Sequence, residues 1–226
     1  MKSLLFGAAL AAATSITSAS ASTVTVAYQP DGIFGPNNLS QKITVTTPGP
    51  GYDGNVSAGL FHLTGDNGVG DFFAFCVDLL QAMKDPTEYT VDAGLFSGTV
   101  LSNIDKLFTS ALGGVALHTV IDTSLEAAGM QVALWEIVND SDMPFDLTSG
   151  NFSVSGNAAV QGQAQDYLDG LVGAQTGAFD IQFYASSTQQ DVVTIAAVPL
   201  PASGILAAFG VGGLIALRRR KTARKS

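Results

Sequence analysis

Cys76 is the single cysteine in a chain of 226 residues, and Gln131 follows fifty-five positions later at the head of Gln131-Val132-Ala133-Leu134-Trp135-Glu136. A cysteine thiol can displace ammonia from a glutamine carboxamide and leave an internal thioester. Such a bond is an acyl group stored on sulfur, open to attack by an amine on another molecule without metal or cofactor. Gln131 interrupts an apolar stripe, since Ala127, Ala128, Leu134, Trp135 and Val138 share its helical face. A buried amide must find partners or cost several kcal/mol. By itself, Cys76 leaves three readings open: an inert buried thiol, an intermolecular disulfide, or a reactive group.

Both residues sit on elements that the pattern makes plain. Period-two alternation predicts strands over 23–28, 42–46, 59–64, 71–80 and 87–91. Residues 72–77, Phe-Phe-Ala-Phe-Cys-Val, are apolar on both faces, which predicts a central strand with Cys76 buried in it. Helical spacing begins near 102, where Ile104, Leu107 and Phe108 recur, and is strongest over 125–139. Met130, Val132, Ala133 and Ile137 make the opposite face of that helix apolar as well. A polar loop over 140–156, a helix over 157–172 and strands over 179–183 and 191–196 complete the pattern. Pro48-Gly49-Pro50-Gly51 and Gly65-Asp66-Asn67-Gly68 read as turns. Strands first, helices in the middle and strands last predict an α+β fold: a β-rich domain with an inserted helical region.

The two ends read differently. Lys2, an apolar run over 4–13 and Ala19-Ser20-Ala21 have the three-part order of a secretory signal peptide over 1–21. At the other end, Val198-Pro199-Leu200-Pro201-Ala202 precedes an uncharged run over 203–217 and then Arg218, Arg219, Arg220 and Lys221. As a helix that run would be roughly 22 Å long, against about 30 Å of hydrocarbon. A short transmembrane helix therefore needs help from the flanking residues. Its basic end predicts a cytoplasmic side, which leaves the domain over 22–197 exported.

That domain holds Lys42, Lys84 and Lys106 against all nineteen acids of the chain, a balance of −16. Nucleic acid is excluded as a partner, because phosphate affinity rests on lysine and arginine. Scarce lysine would also spare a thioester from self-attack.

Residues 198–226 resemble the PEP-CTERM sorting signals of Gram-negative bacteria, in the variant named VPLPA-CTERM. The resemblance implies cutting near the motif by an exosortase-type protease. It also implies an inner-membrane precursor and delivery to the cell surface or extracellular matrix. Phe75-Cys76 on an early strand, with Gln131 to Trp135 on a later helix, resembles the thioester domains of bacterial surface adhesins. That likeness spans about residues 70 to 140 and implies that Cys76 and Gln131 are the bonded pair. Met130 and Leu134 depart from it, standing where Gram-positive members commonly carry threonine and isoleucine.

Together these resemblances imply an exported protein that attaches covalently to an amine-bearing, or more slowly a hydroxyl-bearing, target on a surface or matrix. Because such a reaction is spent once, no enzymatic turnover is expected, and no cofactor. The competing class is a non-covalent structural protein of the exopolysaccharide or biofilm matrix, exported by the same route. A cysteine hydrolase would pair Cys76 with His62 or His118, which lack local signature residues. Tyr89, His62 and His118 are the candidate helpers for bond formation. One cysteine and two histidines fall short of a zinc set. Asp66, Asn67 and Asp71, and Asp140, Asp142 and Asp146, are loop acids without EF-hand spacing, so they read as turn formers and no metal is expected.

Overall fold

The computed structural model describes residues 22–47, 53–91, 94–96, 98–140 and 143–198. The signal peptide over 1–21, Pro199 to Ala202 of the sorting motif, the apolar run and basic tail, and the turn at 48–51 lie outside the described residues. Among the described residues no helix is long and apolar enough to cross a membrane.

The fold is α+β. Strands β1 (Thr23–Tyr28), β2 (Ser40–Thr46), β3 (Asp53–Gly59), β4 (Phe61–Gly65), β5 (Gly70–Cys76) and β6 (Thr87–Val91) come first. Helices α1 (Gly98–Leu112), α2 (Leu117–Val120) and α3 (Ser124–Asn139) follow, then β7 (Ser153–Ser155), α4 (Ala158–Asp169), β8 (Phe179–Ala185) and β9 (Val192–Ala197). Six strands close an antiparallel barrel in the order β1-β4-β5-β9-β8-β6, while β3, β2 and β7 form a separate sheet. Closure removes the unpaired edges that an open sheet of this size would expose. The last two strands return to fill the gap between β5 and β6, so Cys76 lies opposite Val192 of β9.

Helix α3 starts at a capping box. Thr123 Oγ1 accepts from the Glu126 N–H at 3.2 Å, and Glu126 Oε2 accepts from the Thr123 N–H at 3.1 Å. It is enclosed by α4, α1, the β2–β3 sheet and β5. That explains why every residue from Ala127 to Ile137 is buried, including the polar Gln131 and Glu136. The two apolar faces seen in the sequence both have something to pack against.

Two strands escape the sequence pattern. The β3 run Asp-Gly-Asn-Val-Ser-Ala-Gly holds one β-branched residue, and β7 is three residues inside a polar loop. Both are strands because β2 offers them a ladder on either side. The strand expected over 71–80 ends at Cys76, opposite Val192, the first residue of β9.

The α3–α4 contact depends on Gly129. A Cβ there would lie 2.5 Å from Gln163 Cγ and 3.3 Å from the Ala164 backbone nitrogen. Gly129→Val should therefore lower stability by about 1–3 kcal/mol through overpacking, read as a lower urea midpoint with an unchanged slope.

Candidate functional site

The antiparallel ladder dictates where the Cys76 backbone points. Val77 N–H bonds to Asp191 O at 2.9 Å, so the neighbouring N–H and C=O of Cys76 face the other way, toward β4. Pairing with β4 has already ended at Ala74, opposite Phe61. Two buried backbone groups would thus be orphaned. Gln131 meets both: its Oε1 accepts from the Cys76 N–H at 2.9 Å and its Nε2 donates to the Cys76 O at 2.7 Å. The side-chain amide stands in for the missing strand. Cys76 and Gln131, expected as partners from their chemistry and from the thioester-domain resemblance, are in direct contact and each about 1% exposed.

The thiol has its own surroundings. Cys76 Sγ donates to the Asp78 backbone carbonyl at 2.8 Å, and Gln190 Nε2 donates to the same oxygen at 3.0 Å. Burial pushes the thiol well above its ordinary range. The Trp135 indole and the backbone of Asp78 pull it partly back, while the Asp78 and Asp191 charges push it further up. Trp135 Nε1 comes close enough to favour the thiolate but makes no hydrogen bond of good geometry, and it is buried without an acceptor. A cavity of about 330 Å³ reaches Cys76 and Trp135, with walls that include Tyr28, Phe34, Phe61 and Gln81.

Of the three candidate helpers, Tyr89 is near the thiol; its hydroxyl donates to Gln190 O at 2.9 Å. Both histidines stack on Phe73, His62 at 4.6 Å and His118 at 5.2 Å between ring centroids. Neither is among the groups that act on the thiol. Asp78, Asp191, Gln190 and Gln81 were not foreseen. They reach the site through the bends after β5 and before β9, and nothing in their spacing announces that.

The acids read as turn formers bond to nearby groups, Asp71 from within β5 rather than from a loop. Asp66 Oδ1 accepts from the Thr25 N–H and Asp71 Oδ1 from Gln29 Nε2, both across strands. Asp140 Oδ2 accepts from the Asn151 and Phe152 N–H groups, and Asp146 ties Thr148 and Ser149. Among the described residues no three metal-ligating side chains cluster; Asp142 lies outside them.

Glu136 is a different buried group on the same helix. Its Oε1 accepts from the Asp146 N–H at 3.0 Å while Oε2 has no partner. Burial pushes its carboxyl up to about 7; the Asp146 N–H offsets part of this, and the Asp140 and Asp146 charges add to it.

Two outcomes follow. Gln131→Leu leaves the Cys76 N–H and C=O buried and unpaired, at about 1–3 kcal/mol each, read as loss of urea stability. The folded chain holds a proton on Glu136 where the unfolded chain, with an ordinary value of 4.5, releases it. Its contribution to stability is therefore full below about pH 4.5, falls as pH rises through about 7 and then levels off. Glu136→Gln should flatten that part of the stability–pH curve, measured by thermal melts.

No family model matches the chain, and no curated protein matches it. Among solved structures it is similar to the N-terminal domain of the Streptococcus pyogenes pilus tip adhesin Cpa, at 13% identity. The match covers 62% of this chain and 84% of that one with a TM-score of 0.37, a likeness too distant to carry an argument.

Proposed function

We propose that this chain is a single-use covalent attachment module in which Cys76 and Gln131 form an internal thioester. The observation that carries the reading is the grip of Gln131 on the Cys76 backbone. The carboxamide oxygen already accepts from the Cys76 N–H at 2.9 Å. That oxygen gains negative charge when sulfur attacks the carboxamide carbon, so the donor is in place where charge develops. The C–S bond forms, the C–N bond breaks, and ammonia leaves carrying the thiol proton. Because burial disfavours the thiolate, proton loss from sulfur and departure of ammonia are coupled. The same burial keeps water from the finished bond.

In the second stage a target amine attacks the Gln131 acyl carbon, an amide forms, and Cys76 returns to a free thiol. With the sorting-signal likeness of residues 198–226, the reading becomes an exported surface or matrix protein. Its precursor would be held at the inner membrane, processed by an exosortase-type protease and then attached covalently.

One observation favours a second reading. Gln131 spends both polar atoms on the Cys76 backbone, which is also what a purely structural strand cap would do. The chain would then be a non-covalent matrix component with an inert thiol. Intact mass separates the two, with Cys76→Ala as control. Wild type should be lighter than its processed sequence by one ammonia and should gain the mass of methylamine on treatment. A mass equal to the sequence, with one titratable thiol after unfolding, would retire the covalent reading.

A further inference from the structure

Gln81 Oε1 and Trp135 Nε1 are both buried without a hydrogen-bond partner, and both residues line the cavity that reaches Cys76. One is an acceptor and the other a donor. Orphaned polar atoms are unfavourable in a folded interior, and the other buried orphans among the described residues, on His62, Glu136 and Gln189, belong to residues that do not line this cavity. Gln81 is carried on the segment between β5 and β6, where Leu79, Ala82 and Met83 also contribute to the wall.

No carboxylate, lysine, arginine or histidine lines the cavity. An ammonium ion entering it would lose its hydration without gaining a counter-charge, so the neutral amine is the form it admits. That is also the form with a lone pair to give. A primary amine that enters needs an acceptor for one N–H while its lone pair faces the acyl carbon.

Resting on the thioester reading above, we propose that this cavity receives the attacking amine and that Gln81 Oε1 is the acceptor that orients it. The amine nitrogen bonds to the Gln131 acyl carbon and the C–S bond breaks with its electron pair going to Cys76 Sγ. The proton lost by nitrogen ends on that sulfur. Gln81 takes no proton; it holds one N–H so that the lone pair points at carbon. The Trp135 indole N–H, already near the thiol, is the donor available to the sulfur as it leaves.

The test uses the full purified chain and methylamine as probe, following mass with time across a range of amine concentrations. Gln81→Leu and Gln81→Met delete the carboxamide acceptor, and Gln81→Asn keeps an uncharged one. All should retain the mass deficit of one ammonia, since Gln81 plays no part in forming the bond. The two acceptor-less variants should take up methylamine about 3- to 10-fold more slowly at low amine, the loss expected for one neutral hydrogen bond. Gln81→Asn should lie closer to wild type than either. Equal uptake by wild type and both acceptor-less variants, all carrying the deficit, would overturn the role of Gln81 and leave the thioester standing. A wild type without the deficit would overturn the thioester, and this proposal with it.

Discussion

The carboxamide of Gln131 is the point on which the rest of the molecule turns. It lies in the middle of a helix buried on every side, where a side-chain amide is tolerated only with both its atoms bonded. The partners it finds are backbone groups of Cys76, left over where β5 outruns β4. One pair of hydrogen bonds thus fixes the register of α3 against the barrel. It also brings the chain's single thiol to the chain's most deeply placed amide. The barrel, the small sheet and α4 can be understood as the enclosure that keeps this meeting dry.

Enclosure also sets the character of the chemistry. A thiol raised by burial is a poor spontaneous nucleophile, so reactivity has to come from proximity and from a donor already aimed at the oxygen that gains charge. The same burial makes the thiolate a reluctant leaving group. On the thioester reading, slow hydrolysis and controlled attack are two faces of one desolvation. The cavity beside Cys76 has uncharged walls, and on the same reading it is where another group gains entry.

Much of this was legible from residue types. Strands β1 and β6 match their sequence limits, and α3 begins one residue earlier than its periodicity suggests, because Thr123 and Glu126 cap it. The pairing of Cys76 with Gln131 was legible from thiol and carboxamide chemistry and from the thioester-domain resemblance; a polar residue in an apolar stripe said only that Gln131 needs a partner. Barrel closure was not, since a pattern of alternation says that a strand is half-buried but not which strand lies beside it. Strand β3 was missed because its glycines and asparagine carry no β signal. Asp78, Gln81 and Asp191 were missed for a related reason: their place beside the thiol is made by chain bends, which leave no periodic trace. The histidines were named for their chemistry alone, and the structure stacks both on Phe73 instead.

Strand β9 gives the site a clock. The wall behind Cys76 is built from residues 191–193, more than a hundred positions downstream, while Gln131 is made in between. A chain emerging from its N-terminus therefore presents thiol and amide early but cannot seal them together until almost the whole domain is through. Until that strand is in place the pair stays unassembled. The barrel's last strand to arrive is the one that completes the shelter.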